Sequence, residues 1–161
     1  MSKPEQRREA LVDQIAALAS HSALTVGVAE SLTGGHISTA LAGGNEAAEW
    51  FRGSVVAYAP EVKFNVLSVD PGPVNTKQCS AQMAAGAIKL FDCDVAVSAT
   101  GVGGPGTDEG VPPGTVFIAC ARRDRDVDLG EHHLDGSPPE VIAQAVELAL
   151  ESVLKALLES R

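Results

Sequence analysis

The chain has 161 residues, 45% of them hydrophobic and 20% charged, and its 12 Lys and Arg against 21 Asp and Glu leave a net charge of −9. That is enough apolar chain for one domain with a real core, and too much for a disordered segment. The acidic balance, with no cluster of Lys or Arg, excludes a nucleic-acid partner; the opening MSKPEQRREALVDQ is charged where a secretory leader is apolar, and no apolar run could span a bilayer, so a cytoplasmic protein with no membrane partner is expected.

Residues 4 to 20 predict a helix with Leu11, Val12, Ile15 and Leu18 on one face. A strand is expected over 24–29, a helix over 35–42, and a strand over 51–58, where β-branched and aromatic residues gather. Pro60 opens a short helix over 60–66. The sequence DPGP at 70–73 reads as a loop, and 76–91 as a helix carrying Met83, Ala87, Leu90 and Phe91. An apolar strand over 94–100 runs into a glycine-rich loop, 101–114. Strands over 115–122 and 126–134 form a hairpin across RDRD, and a last helix covers 138–159. Five strands interleaved with helices predict an α/β fold, a three-layer α/β/α sandwich. The hairpin makes its mostly parallel sheet a mixed one. Cys79, Cys93 and Cys120 are scattered without a CxxC pair, as expected of reduced thiols rather than metal ligands.

Where the first strand hands over to a helix, the chain reads VAESLTGGHIS, residues 28–38. In open α/β sheets ligands gather at such junctions. Backbone N–H groups from Leu32 to Gly35 are candidates to hold an anion or a developing oxyanion there, and the glycines let a ligand approach closely. Ser31 is then either a nucleophile or, like Thr33, a helix cap. The pattern G-x-S-x-G is absent, since Ala29 and Thr33 stand where its glycines belong. A nucleophilic serine needs a base. None of His21, His36, His132 and His133 sits at a strand-end turn. Of the five lysines, Lys63 follows the strand 51–58 and lies near Tyr58, and a desolvated lysine can serve that role. Its alternative is a solvated helix residue.

Gly101, Gly103 and Gly106 match G-x-G-x-x-G after a strand, but Pro105, Pro112 and Pro113 and another strand follow instead of a helix, so no dinucleotide site is expected. Without GK[ST] it is no Walker loop. It suits a phosphate or ribose, or is simply a long turn.

Taken together, VAESLTGGHIS, FRGSVVAYAPEVKFNVLSV, AVSATGVGGPGT and PPGTVFIA stand in the order and spacing of the CinA C-terminal domain family, which the chain resembles from about Leu11 to the last helix. The resemblance implies a single stand-alone domain over 1–161 with a mixed five-stranded sheet. It implies an amidase that converts nicotinamide mononucleotide and water to nicotinic acid mononucleotide and ammonia, with a small pyridine nucleotide as partner and neither metal nor organic cofactor. By motif position Ser31 would be the nucleophile, Lys63 its base and Tyr58 a neighbour in the hydrogen-bonding set. Glu30, Thr33, Gly34 and Gly35 would line the pocket. Thr100 and the loop glycines Gly101, Gly103, Gly104 and Gly106 would face the nucleotide.

This chain departs from the family pattern at three places. Ser137, in LDGSPPEV, stands where the family commonly has an arginine suited to a phosphate; Leu32 replaces a cysteine; and VPPGTV replaces Lys-Pro-Val-Gly-Thr. Loss of the arginine and lysine subtracts positive charge from the site. Two alternatives therefore stand beside the nucleotide amidase: a non-catalytic module that keeps the fold, and a serine amidase for a less anionic amide. Finally, the helix 138–159 is apolar over more than one stripe, with Leu148, Leu150, Leu154 and Leu158 spread around it. Either the sheet and the N-terminal helix clamp it, or a homo-oligomer, most simply a two-fold dimer, covers the surplus.

Overall fold

The computed structural model describes residues 1–160. Its elements in chain order are α1 (Lys3–Ser22), β1 (Val26–Glu30), α2 (His36–Ala42), α3 (Ala47–Trp50), β2 (Phe51–Val56), α4 (Pro60–Leu67), α5 (Lys77–Phe91), β3 (Val95–Gly101), β4 (Thr115–Arg122), β5 (Arg125–His133) and α6 (Pro138–Glu159). The predicted elements are all present. The single turn α3 is additional, and β2 ends at Val56, two residues short of the expected 58, because Ala57–Ala59 already turn the chain into α4.

The strand order is β2-β1-β3-β4-β5. β1 pairs parallel with β2 and with β3, whereas β4 runs antiparallel to both its neighbours. Four strands thus point one way and β4 alone is reversed. The β1-to-β2 crossover runs through α2 and α3, and the β2-to-β3 crossover through α4 and α5. The two lie on opposite faces: Ile37, Leu41 and Trp50 pack in one core, and Leu67, Cys79, Met83 and Ala87 in the other. Chain direction therefore reverses about β1, and a crevice opens at the carboxyl end of β1 between β2 and β3.

The two faces of the sheet are built differently. Toward α1 and α6 it presents Val26, Val28, Val95, Val97, Val116 and Ile118. Toward α5 the same strands present Gly27, Ala29, Ala96, Ser98, Ala119 and Ala121, alternate positions of a pleated strand. Small residues let α5 lie close: Ser98 Oγ donates to Ser80 O at 2.6 Å, and a Cβ on Gly27 would come 2.8 Å from the Phe91 ring. On the far side of α5, a Cβ on Gly86 would come 2.1 Å from Leu67 O at the end of α4.

The apolar surplus of α6 is covered in large part from within the chain, with Leu158 left 43% exposed. Leu150 and Leu157 are buried, and Leu148 and Leu154 pack partly buried on the core shared with α1. No helix among the described residues is long and apolar enough to cross a membrane.

The start of α2 differs from expectation. Gly35 occupies the N-cap with a positive φ of 103° and no side-chain cap, so neither Ser31 nor Thr33 caps the helix. The carboxylate of Glu30, fully buried at the end of β1, does so from below. Its Oε1 accepts from Thr33 Oγ1 (2.7 Å), Gly35 N (3.2 Å) and Ile37 N (2.9 Å). Its Oε2 accepts from Ser38 N (3.0 Å), Ser38 Oγ (2.6 Å) and Ser54 Oγ (3.3 Å). A buried carboxylate is tolerated when its lone pairs are satisfied and it faces the positive end of a helix. The side chains of Glu30 and Thr33, expected to line a pocket, are instead bound to each other beneath it.

Two outcomes follow from this packing. Glu30→Gln keeps the shape but puts an amide NH2 against donors that need an acceptor, so it should cost about 2–4 kcal/mol in denaturant unfolding. Gly86→Ala would stabilise an unhindered helix by up to about 1 kcal/mol. Here the added methyl meets backbone, and overpacking of about 1–3 kcal/mol should win, lowering the melting temperature.

Candidate functional site

At the carboxyl ends of β1, β2 and β3 lies a cavity of about 460 Å³. Ser31 and Leu32 form its floor after β1, Tyr58, Pro60 and Lys63 one wall, and Val74 and Asn75 with the loop 101–108 another; Pro138 and Ile142 of α6 close it. A wider recess of about 850 Å³ beside the β4–β5 turn holds no nucleophile. Charged side chains line it, among them Lys155 paired with Asp128 at 3.0 Å and Arg122 with Glu159 at 3.4 Å.

Ser31 is placed by the backbone: its N–H donates to Ala99 O of β3 (2.9 Å), and its own carbonyl accepts from Gly34 N (3.0 Å). Its Oγ lies 3.0 Å from Lys63 Nζ. Lys63 sits in α4, where Pro60 at the first turn leads the chain back under the sheet end, and only 1% of its surface is exposed. Its Nζ donates to Ala57 O (2.7 Å) and Tyr58 O (3.2 Å). A neutral amine has two hydrogens and one lone pair. With the hydrogens on those two carbonyls, the lone pair is left for Ser31 Oγ–H. Burial lowers the Lys63 pKa from the ordinary 10.5, opposed by Cys79, Glu109, Asp108 and Glu61 around it.

The other expected residues divide. Gly101, Gly103, Gly104 and Gly106 line the cavity as expected, with a cis bond at Gly104–Pro105. Tyr58 lines its rim, but its side chain points outward with 71% of the residue exposed, and only its carbonyl joins the hydrogen-bonded set. Gly34 is exposed and off the cavity, and Gly35 N is already bonded to Glu30. Thr100 is buried beneath the cavity, where its Oγ1 donates to Val74 O at 3.4 Å. Of the N–H groups expected to be available from 32 to 35, those of Gly34 and Gly35 are taken. Those of Leu32 and Thr33 donate to no acceptor among the described residues. None of the histidines lines the cavity; His36 Nδ1 instead meets Thr33 O at 2.6 Å.

Sequence reasoning missed the wall built by 74–75 and 108–109. Glu109, at φ 54°, accepts from Val74 N with both carboxylate oxygens (3.0 Å each) and from Asn75 N (2.8 Å), and Asp108 Oδ2 accepts from Asn75 Nδ2 at 3.0 Å. The glycine-rich loop is thereby stitched to the segment before α5. No periodicity marks such a contact; the DE pair after the glycines was its one signal.

Positive charge is scarce. Lys63 is the one cationic side chain lining the cavity among the described residues. Ser137, the expected position of an arginine, directs both its N–H (3.0 Å) and its hydroxyl (2.8 Å) to Glu140 Oε1. The first two residues of α6, Pro138 and Pro139, have no N–H to offer. The described residues contain no group of His, Cys, Asp and Glu suited to a metal ion. The three cysteines are buried free thiols, with burial pushing Cys79 and Cys93 up to about 11 and Cys120 up to about 12.

Known proteins share this arrangement of chain. A putative competence-damage inducible protein of Bacillus subtilis is 33% identical over 156 residues, 94% of this chain but 37% of that protein. Protein YdeJ of Escherichia coli is 33% identical over 141 residues, covering 84% of this chain and 81% of YdeJ. The chain thus spans about a third of the length of the competence-damage inducible relatives. The crystal structure of competence damage-inducible protein A (ComA) of Klebsiella pneumoniae superimposes with a TM-score of 0.91 at 28% identity, covering 96% of this chain and 99% of that one. The CinA C-terminal domain model matches residues 8–157, and the chain belongs to that family.

Proposed function

We propose that the protein is a serine amidohydrolase that converts nicotinamide mononucleotide and water to nicotinic acid mononucleotide and ammonia. The observation that carries this reading is the contact of Ser31 Oγ with a desolvated Lys63 Nζ, 3.0 Å apart in the lining of a cavity. A buried amine held short of its ordinary pKa beside a hydroxyl in a cavity favours an enzyme over a module that only binds.

Ser31 Oγ attacks the carboxamide carbon while its proton passes to Lys63 Nζ. The oxyanion of the tetrahedral intermediate would be met by the unclaimed N–H of Leu32, which lines the cavity. As the C–N bond breaks, Lys63 returns the proton to nitrogen and ammonia leaves. The acyl-serine is then hydrolysed by a water whose proton Lys63 takes and hands back to Ser31 Oγ, releasing the acid.

A second reading, an amide without the phosphate, has its own support in the lone cationic wall residue, the engaged Ser137 and the prolines opening α6. Ammonia release from nicotinamide mononucleotide, with nicotinamide riboside beside it, decides between them: faster turnover of the riboside selects the second, and no turnover of either removes both.

Ser31→Ala should cut turnover by about 10³-fold or more while costing only about 1 kcal/mol of stability, the hydrogen bond lost to Lys63. Loss of stability with retained rate would return Ser31 to a structural role.

Lys63→Arg should be inactive at any working pH, because a guanidinium keeps its proton. In the wild type, kcat/KM should rise with pH through an inflection below 10.5 and then level off. Stability should also rise with pH between that lowered pKa and 10.5. In that interval the unfolded chain holds a proton that the folded chain has given up. A pH profile that is flat across that range would remove Lys63 as the base.

A further inference from the structure

Asn75 is 6% exposed, and what remains of its surface faces the cavity it shares with Ser31 and Lys63. It is held at two points. Its main-chain N–H donates to Glu109 Oε1 at 2.8 Å, and its Nδ2 donates to Asp108 Oδ2 at 3.0 Å. A carboxylate oxygen can only accept, so Asp108 determines which way round the amide sits: Nδ2 faces Asp108 and Oδ1 faces away from it. Oδ1 takes no hydrogen bond from any described residue, yet it is not sealed in the interior, where Thr115 Oγ1 is the unpartnered side-chain atom. The wall of the cavity thus carries, in Asn75 Oδ1, an unclaimed acceptor whose orientation is fixed.

We infer that Asn75 is a specificity-determining residue for the proposed hydrolysis, its Oδ1 accepting an N–H of the substrate's primary carboxamide. This rests on the amidohydrolase reading. A primary amide brings two N–H donors into a site where each needs an acceptor. A fixed carbonyl oxygen satisfies one and aligns the carbon with Ser31. The acid product has no such hydrogen, and its carboxylate would meet Oδ1 and the negative Asp108 behind it. The same oxygen that holds the amide therefore expels the acid, which gives the chain a means of avoiding product inhibition.

The test separates recognition from turnover. In the Ser31→Ala protein, nicotinamide mononucleotide should bind at least about tenfold more tightly than nicotinic acid mononucleotide by calorimetry, and the riboside pair should show the same order. Adding Asn75→Ala should bring the amide-to-acid ratio close to one, by weakening the amide and strengthening the acid. The main-chain clasp by Glu109 survives that change, so a fold defect would weaken both ligands alike. Asp108→Asn, which frees the Asn75 amide to turn over, should erode the ratio part of the way. An unchanged ratio in Ser31→Ala/Asn75→Ala, beside a wild type that releases ammonia, overturns the role of Asn75 alone. If neither ligand pair binds and no ammonia is released, the hydrolase reading falls and this role with it.

Discussion

The carboxylate of Glu30 is the interaction on which the rest of the site depends. It lies at the end of a central strand, fully buried, and gathers the first N–H groups of α2 with the hydroxyls of Thr33, Ser38 and Ser54. Removing so many polar groups from water is tolerable only because they satisfy one another. The consequence is geometric. With β1 below and α2 above both tied to one side chain, the intervening turn has little freedom, and Ser31 is the first residue of that turn. A serine meant to attack a carbonyl needs that kind of support, because small displacements of a nucleophile cost rate steeply.

The second constraint is desolvation. A lysine with 1% exposure costs stability unless its amine is neutral or well paired, and Lys63 satisfies this with two backbone carbonyls and one serine hydroxyl. The carbonyls belong to Ala57 and Tyr58, where β2 gives way to α4. The early end of β2 is thus part of the site, since both carbonyls belong to the turn that follows it. The nearby negative groups, Asp108 and Glu109, temper the loss of basicity and keep the amine a usable proton acceptor.

Those same carboxylates shape the wall of the cavity and its field. Glu109 clasps the backbone of Val74 and Asn75, which makes a glycine-rich loop into a defined surface. The price is an acidic rim on a cavity whose wall carries one cation. With Ser137 bound to Glu140 and two prolines opening α6, the wall has no arginine or second lysine to pair with a phosphate. The proposed hydrolysis has more support in the site than the proposed charge of its substrate.

Much of this was legible in the amino-acid sequence. Periodicity and turn residues marked every strand and all helices but the one-turn α3, and the hairpin at 123–126 made the sheet mixed. The position of Ser31 at a strand end, and Lys63 one short turn beyond the next strand, were visible as motif and spacing. The tertiary structure decided what each residue of those motifs does. Glu30, Thr33 and Gly35 sit in the same eleven-residue motif as Ser31 but close a hydrogen-bond network beneath it, and only the crossing of β1, α2 and β2 shows that their polar groups are consumed. Tyr58 contributes a carbonyl rather than a phenol because β2 stops early. Asn75 and Glu109 lie 34 residues apart and carry no local pattern. Local sequence encodes backbone conformation through periodicity, propensity and capping. Whether a polar side chain is spent on structure or left free for chemistry depends on which partners the fold brings within about 3 Å of it.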